Sequence, residues 1–350
     1  MVFLLLDPLY ILWAIIGYVV MFILAAFIAP KVANRFSGKF SLFTSMVILA
    51  SVVIGVFSLV LAAIISISSQ AFGSSTPISS LIFYITFLVI ISNLLIYIFS
   101  PLLINLMHGC EKDQKIQRIV DDVKNKLKYK GKLNAVVTRR FGLPNAFAYG
   151  NFIFGKYVAV TPGMINLTNE NELKAVIGHE IGHHIHRDNA IMLLFGLLPA
   201  LLYYLGYFLF RAGLFSRGSR REGGSSAILA ILGIVAMLAS FIVQILVLAF
   251  SRLREYYADT VGAKSAGKIN MQSSLAKIHY YYKGDVESIQ KLKDSSFKTL
   301  FIYAFTNSLA NPFREIEIEK VKKEKYSAIE EFLSSHPPIP KRLIFLDKLK

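Results

Sequence analysis

The sequence predicts a multi-pass α-helical membrane protein whose polar part, mainly α with a small β-sheet, is split by a transmembrane hairpin. Three observations carry this. Apolar residues arrive in five blocks, each near or above the roughly 20 residues a helix needs to cross hydrocarbon. The polar residues collect in two segments separated by the last two of those blocks. The composition, 55 % hydrophobic with a mean hydropathy of +0.54, is not that of an ordinary soluble domain.

The first block, Phe3 to Ala29, holds one charge, Asp7. It has no positive leader, exceeds a usual signal-peptide core, and meets no small-residue cleavage site before Lys31, so a retained helix is expected. The second and third blocks, about Phe40 to Ser68 and Leu81 to Met107, are uncharged. Ile191 to Phe210 and Ala227 to Phe250 form the hairpin. Five such runs would need an implausibly large core in a soluble protein, whereas a bilayer accommodates them directly. The expected organisation is three transmembrane helices in 1–107, a polar part in 108–190, the hairpin in 191–250 and a second polar part in 251–350.

The net charge of +16 is spread over mixed-sign regions. Residues 111–188 carry 13 basic against 8 acidic side chains, and 251–350 carry 18 against 12. That pattern fits apposition to an anionic membrane face, and no nucleic-acid-binding motif accompanies it, so nucleic acid is excluded as a partner. Lys31, Arg35 and Lys39 place the first loop in the cytoplasm and the uncharged 68–80 loop outside, which puts the amino terminus outside and the polar parts inside the cell membrane. The loop between the hairpin helices, with Arg211, Arg217, Arg220 and Arg221, runs against this assignment. The single cysteine, Cys110, allows no intrachain disulfide.

In the first polar part, Ile116, Ile119, Val120, Val123 and Leu127 recur at helical spacing until Gly131. Residues 133–138, 145–150 and 152–161 alternate or are β-branched and predict three strands of a small sheet. Asn169 followed by Glu172 predicts a capping box that starts the next helix. The second polar part opens on a helix running directly out of the last apolar block, with Asn311–Pro312 marking a turn further on and an amphipathic end after Pro338.

The helix begun at Asn169 holds four of the seven histidines in eight residues, HEIGHHIH at 179–186. His179, Glu180 and His183 form HExxH. Residues four apart share a helical face, so both imidazoles can reach one ion with Glu180 beside them. Two imidazoles, a third protein ligand and one open position suit a catalytic zinc. Glu180 would then move the proton of an attacking water to a leaving amine. A histidine collar ending a membrane helix explains the cluster less well, since it requires neither Glu180 nor the helix-weakening Gly178 and Gly182, which relieve crowding where another element crosses.

Candidates for the third ligand are His108, His279, His336 and the carboxylate Glu255. Glu255 and Asp259 lie four apart just beyond the last apolar block, where the hairpin would return the chain to the level of HExxH. Asp259 could accept the outer N–H of a ligand histidine. Against this, Glu255 could pair with Arg252 or Arg254 on a solvated surface.

In combination these motifs resemble those of the HtpX-like branch of the M48 membrane zinc metallopeptidases. HEIGHHIHRD at 179–188 is similar to the family's metal helix and SRLREYYAD at 251–259 to its second signature. PNAFA at 144–148 and SHPPIPKR at 335–342 are similar to its segments before and after. The resemblance spans about 108–350. It implies a zincin-like metallopeptidase domain, one Zn2+ per subunit held by His179, His183 and Glu255, and a supporting role for Asp259. It also implies quality control of misfolded or membrane-associated proteins. With it, His336 is expected to stabilise an oxyanion, Arg342 to contact substrate and Asp188 to support the end of the metal helix. NAFAYG reads as an exposed strand edge along which Asn145, Ala146, Phe147 and Ala148 would contact an extended substrate, with an ordinary core strand the equal alternative. His184 and His186 are expected to be structural. Three leading spans rather than two set this chain apart from bacterial members, and the seven-span chamber of prenyl-protein proteases has no counterpart. The expected partners are polypeptide substrates and the bilayer. A non-catalytic metal-binding scaffold or a transporter is the alternative; transport is disfavoured because the charged cluster lies at a membrane boundary.

Overall fold

The computed structural model describes residues 39–72, 78–215, 223–284 and 318–326, Glu331 and residues 334–349. The expected first span, the Asn311–Pro312 turn and Arg217 to Glu222 of the arginine-rich loop lie outside them. In chain order the elements are α1 (Lys39–Phe72), α2 (Ile78–His108), β1 (Cys110–Lys112), α3 (Gln114–Lys126), β2 (Asn134–Thr138), β3 (Ala146–Asn151), β4 (Gly155–Val160), α4 (Pro162–Leu167), α5 (Glu170–Ile185), α6 (Asp188–Phe215), α7 (Gly223–Ala266), α8 (Lys268–Gly284), α9 (Ile318–Lys322) and α10 (Ile339–Asp347). The chain forms two compact units, one comprising residues up to Ile91 with Leu194–Phe250, the other Ser92–Leu193 with Ser251–Lys350.

Four helices among the described residues are long and apolar enough to cross a membrane, with spans at Ser45–Ile64, Thr86–His108, Asp188–Leu214 and Ser226–Ala266. In the first unit they leave large apolar side chains such as Ile48, Leu59, Leu88, Leu194, Ile231, Leu238 and Phe241 exposed. A soluble unit would bury these groups, whereas lipid solvates them. Within the hairpin the helices approach through glycines. A Cβ on Gly206 would fall 2.7 Å from the Gly233 carbonyl oxygen, and one on Gly233 would fall 2.6 Å from that of Gly206. Small residues at such a crossing let backbones approach where no hydrophobic force between helices operates.

The second unit contains a four-stranded mixed sheet in the order β1-β2-β4-β3. β1 and β2 are antiparallel, β2 and β4 parallel, and β4 and β3 antiparallel, which leaves β3 as an edge strand. Val136, Phe147, Tyr149 and Ala159 form a buried cluster against Ile104 of α2. The sequence foresees β2, β3 and β4 but not β1, whose three residues are too few and too charged to carry a period. β4 is also shorter than expected: Phe152 to Phe154 form the turn of the β3–β4 hairpin, because Asn151 pairs with Gly155 across it.

Local signals set the helix starts. The Asp113 side chain accepts from Ile116 N–H at the start of α3. At the start of α5, Asn169 accepts from Glu172 N–H while Glu172 accepts from Asn169 N–H, both at 2.9 Å, completing the expected capping box. Glu172 also receives Ser273 Oγ and Lys277 Nζ of α8, each at 2.6 Å, which ties the foot of α5 to that helix. α7 runs unbroken through Phe250 to Ala266, and Gly267, with φ +98°, ends it.

Candidate metal centre

α5 and the polar end of α7 cross where both lack bulk. A Cβ on Gly178 would fall 2.1 Å from Ser265 Oγ and 2.5 Å from Ser265 Cβ; one on Gly182 would fall 3.1 Å from Ala258 Cα. On the opposing helix, a Cβ on Gly262 would meet the Ala175 carbonyl oxygen at 2.8 Å. This is the physical need for Gly182 within HEIGHHIH and Gly178 immediately before it. Gly178→Val forces the helices apart and is expected to destabilise this unit by about 1–3 kcal/mol, the usual range for overpacking. Thermal unfolding checks this against Gly196→Ala, where nothing lies within 4 Å and the transition should stay close to the parent's.

The crossing brings three donor groups together. His179 Nε2 and His183 Nε2 are 3.2 Å apart, and the Glu255 carboxylate lies 3.6 Å from each. Tetrahedral zinc with Zn–N distances near 2.0–2.1 Å sets its ligand atoms about 3.3 Å apart, so the spacing fits that ion. The outer nitrogens are engaged as well. His179 Nδ1 lies 3.0 Å from Asp259 Oδ1 and His183 Nδ1 lies 2.5 Å from Asp188 Oδ2. A carboxylate at Nδ1 holds the proton there and turns the lone pair of each Nε2 inward. Two facing lone pairs beside a carboxylate repel one another unless a cation sits between them. Burial lowers the pKa of His179, but hydrogen bonds to Asp259 and Glu255 outweigh it and bring the value up to about 9, whereas burial lowers that of His183. The donor set fits a zinc ion.

Each supporting carboxylate is itself held by an arginine. Arg342 donates through Nε to Asp259 Oδ2 at 2.8 Å and through Nη2 to Oδ1 at 2.5 Å, and its Nη1 lies 3.5 Å from Glu255 Oε2. Arg254 pairs with Asp188. Arg342, expected to contact substrate, has a fully buried side chain that bonds Asp259 and lies beside Glu255. Arg252 and Arg254, weighed as surface partners of Glu255, have other attachments. Arg252 donates to the carbonyls of Glu331 and Ser334, and Glu255 is buried facing the histidines.

Glu180 is 3 % exposed. Burial pushes its carboxyl pKa above the usual range, while His179 and His183 oppose that rise. The Ala148 amide of the edge strand is within hydrogen-bonding reach of its carboxylate. His336 Nδ1 lies 3.0 Å from Glu255 Oε2, which places this residue beside the donor set. His184 and His186 lie outside that set. His184 Nε2 lies 2.9 Å from the Tyr157 carbonyl oxygen of β4, and burial lowers its pKa to about 4, so it donates as a neutral ring. The His186 ring packs against Tyr257 at 4.9 Å.

The proposed substrate strand divides by face. Phe147 packs between His108, at 5.3 Å, and Tyr149, at 5.5 Å, so its side chain belongs to the core. Asn145 is buried, and its Nδ2 has no hydrogen-bond partner among the described residues. Ala148 is partly buried beside Glu180.

Residues 111–350 match the family model described as peptidase family M48. The chain is 50 % identical over 344 residues to a protein of Archaeoglobus fulgidus named Protease HtpX homolog, covering 98 % of each chain. It is 49 % identical over 347 residues to the Protease HtpX homolog of Pyrobaculum aerophilum, again covering 98 % of each. Its structure is similar to the crystal structure of Ste24p from S. mikatae, with a TM-score of 0.50 at 16 % identity over 88 % of this chain and 67 % of that one, a likeness of fold alone.

Proposed function

The chain belongs to peptidase family M48, and from that premise we propose that this membrane protease is a zinc-dependent endopeptidase acting on unfolded or membrane-associated polypeptides. The observation that carries the reading is the convergence of His179 Nε2, His183 Nε2 and Glu255, all within 4.8 Å of one another, with a carboxylate behind each imidazole. These three residues would hold one zinc ion per chain, which when bound would supply Lewis-acid polarisation of water and of the scissile carbonyl. Asp259 and Asp188 keep each ligand imidazole in the tautomer that presents Nε2, and Arg342 and Arg254 hold those carboxylates in place. Glu180 takes a proton from the attacking water and delivers it to the leaving amine; burial, which raises its pKa above the usual carboxylate range, makes it a stronger base.

Substrate is read as an added strand. The outer edge of β3, from Asn145 to Ala148, is proposed to pair with an extended polypeptide, with Asn145 Nδ2, which has no partner among the described residues, donating to its backbone. His336, beside Glu255, is proposed to face the oxyanion as it develops. The charge distribution favours a cytoplasmic catalytic part and an external amino terminus in the cell membrane.

The test is metal removal. The purified chain is expected to carry one zinc by elemental analysis, to lose cleavage of an unfolded membrane protein after chelation, and to regain it when zinc is restored. A preparation that binds no zinc, or that cleaves equally well with chelator present, would overturn the proposal.

A further inference from the structure

We propose that the β3–β4 turn is a membrane anchor, with Phe152 and Ile153 inserted among lipid acyl chains alongside α2. This reading is independent of the zinc site. Phe152 is 86 % exposed and Ile153 49 %, at a hairpin turn where polar residues and glycine are usual. Two large apolar side chains displayed at such a tip need an apolar surrounding.

The turn is built to enter one. Asn151 is only 2 % exposed. Its Oδ1 accepts from the Ile153 and Phe154 amides at 3.0 and 2.9 Å, and its Nδ2 donates to the carbonyls of Tyr97 and Ile98 at 2.8 and 2.9 Å. The Phe154 carbonyl accepts from the Tyr157 hydroxyl at 3.1 Å. A segment that enters hydrocarbon gains from satisfying its backbone polar groups internally, and here one buried carboxamide and one phenol satisfy the Ile153 and Phe154 amides and the Phe154 carbonyl. Pro101 explains the docking point. Lacking an N–H, it leaves the Tyr97 carbonyl without its helical partner, and Asn151 together with Ser100 Oγ, at 3.0 Å, fills the gap.

The docking point also gives a depth. Tyr97 to Phe99 lie in the candidate span Thr86–His108, about ten residues or roughly 15 Å before its end, against hydrocarbon about 30 Å thick. Phe99, 45 % exposed, contacts the Phe154 ring at 5.9 Å, so the outward apolar surface of the span continues onto the turn. An unfolded polypeptide is the other apolar partner for such a tip, but continuity with a lipid-facing helix favours lipid.

The test uses the full chain with Cys110→Ser, carrying in turn Phe152→Cys, Ile153→Cys, Leu103→Cys on the exposed flank of the span, or Lys115→Cys on exposed α3. Each is labelled with an environment-sensitive fluorophore and reconstituted in phosphatidylcholine–phosphatidylglycerol vesicles, with or without brominated acyl chains. Labels at residues 152 and 153 are expected to be quenched by the brominated chains to the extent seen at residue 103 and to resist aqueous iodide, with the reverse at residue 115. If both turn labels follow residue 115, the anchor is wrong. Protection from iodide that arises only on adding an unfolded polypeptide would overturn it in favour of a peptide-docking tip.

Discussion

Glu180→Gln is expected to lower peptide cleavage by about 10²–10⁴-fold, the usual contribution of a positioned general base, while leaving bound zinc at the parent's level. The amide has nearly the same shape as the carboxyl it replaces and keeps an oxygen for the Ala148 amide, so the packing of α5 is preserved. It cannot take up the proton of an attacking water. The donors His179, His183 and Glu255 are untouched by the change. Elemental analysis and cleavage of an unfolded membrane protein, measured on the same preparations, separate the two effects. Cleavage at the parent's rate would remove Glu180 from the reaction; loss of zinc together with cleavage would make it a structural support of the metal centre.

Glu255→Gln has the opposite signature, with zinc affinity and activity lost together. Replacing the carboxylate by a neutral amide removes the charged member of the donor set from a buried site. The loss of affinity should exceed the roughly 10–100-fold typical of an outer-shell substitution. The fold is expected to survive, because the buried guanidinium of Arg342 keeps its two bonds to Asp259. Competition with a zinc-binding dye gives the affinity, and circular dichroism confirms that the unit remains folded. Parent-like affinity would mean that the third ligand lies elsewhere.

The two variants probe features that differed in how far they could be read from the chain. HExxH is local: the helical period alone sets His179 and His183 on one face with Glu180 beside them, and the capping box at Asn169 and Glu172 announces where that helix starts. Glu255 was harder. Its neighbours Arg252 and Arg254 made a surface ion pair an equally natural reading, and only the α5–α7 crossing turns it to the histidines while Arg254 goes to Asp188. Asp188 reaches back to His183 because Arg187 adopts φ +56° between α5 and α6, a conformation that no local residue preference would have suggested. Arg342 was expected at the substrate only through the resemblance of SHPPIPKR, and nothing in that stretch announces a buried guanidinium. Its burial depends on Asp259 and Glu255 from a distant helix.

Apolar block length and helical or alternating spacing are properties of neighbouring residues, so the sequence by itself determined the four long apolar helices among the described residues, three of the four strands, and the helix that carries HExxH on one face. Three features depend on contacts between residues far apart in the chain: the partners of Glu255, Asp259 and Arg342, the edge position of β3, and the docking of Asn151 on the carbonyls next to Pro101. Those only the tertiary structure decided, because a buried charge or amide takes whichever counter-charge or acceptor packing brings within about 3 Å, and no periodicity encodes that choice.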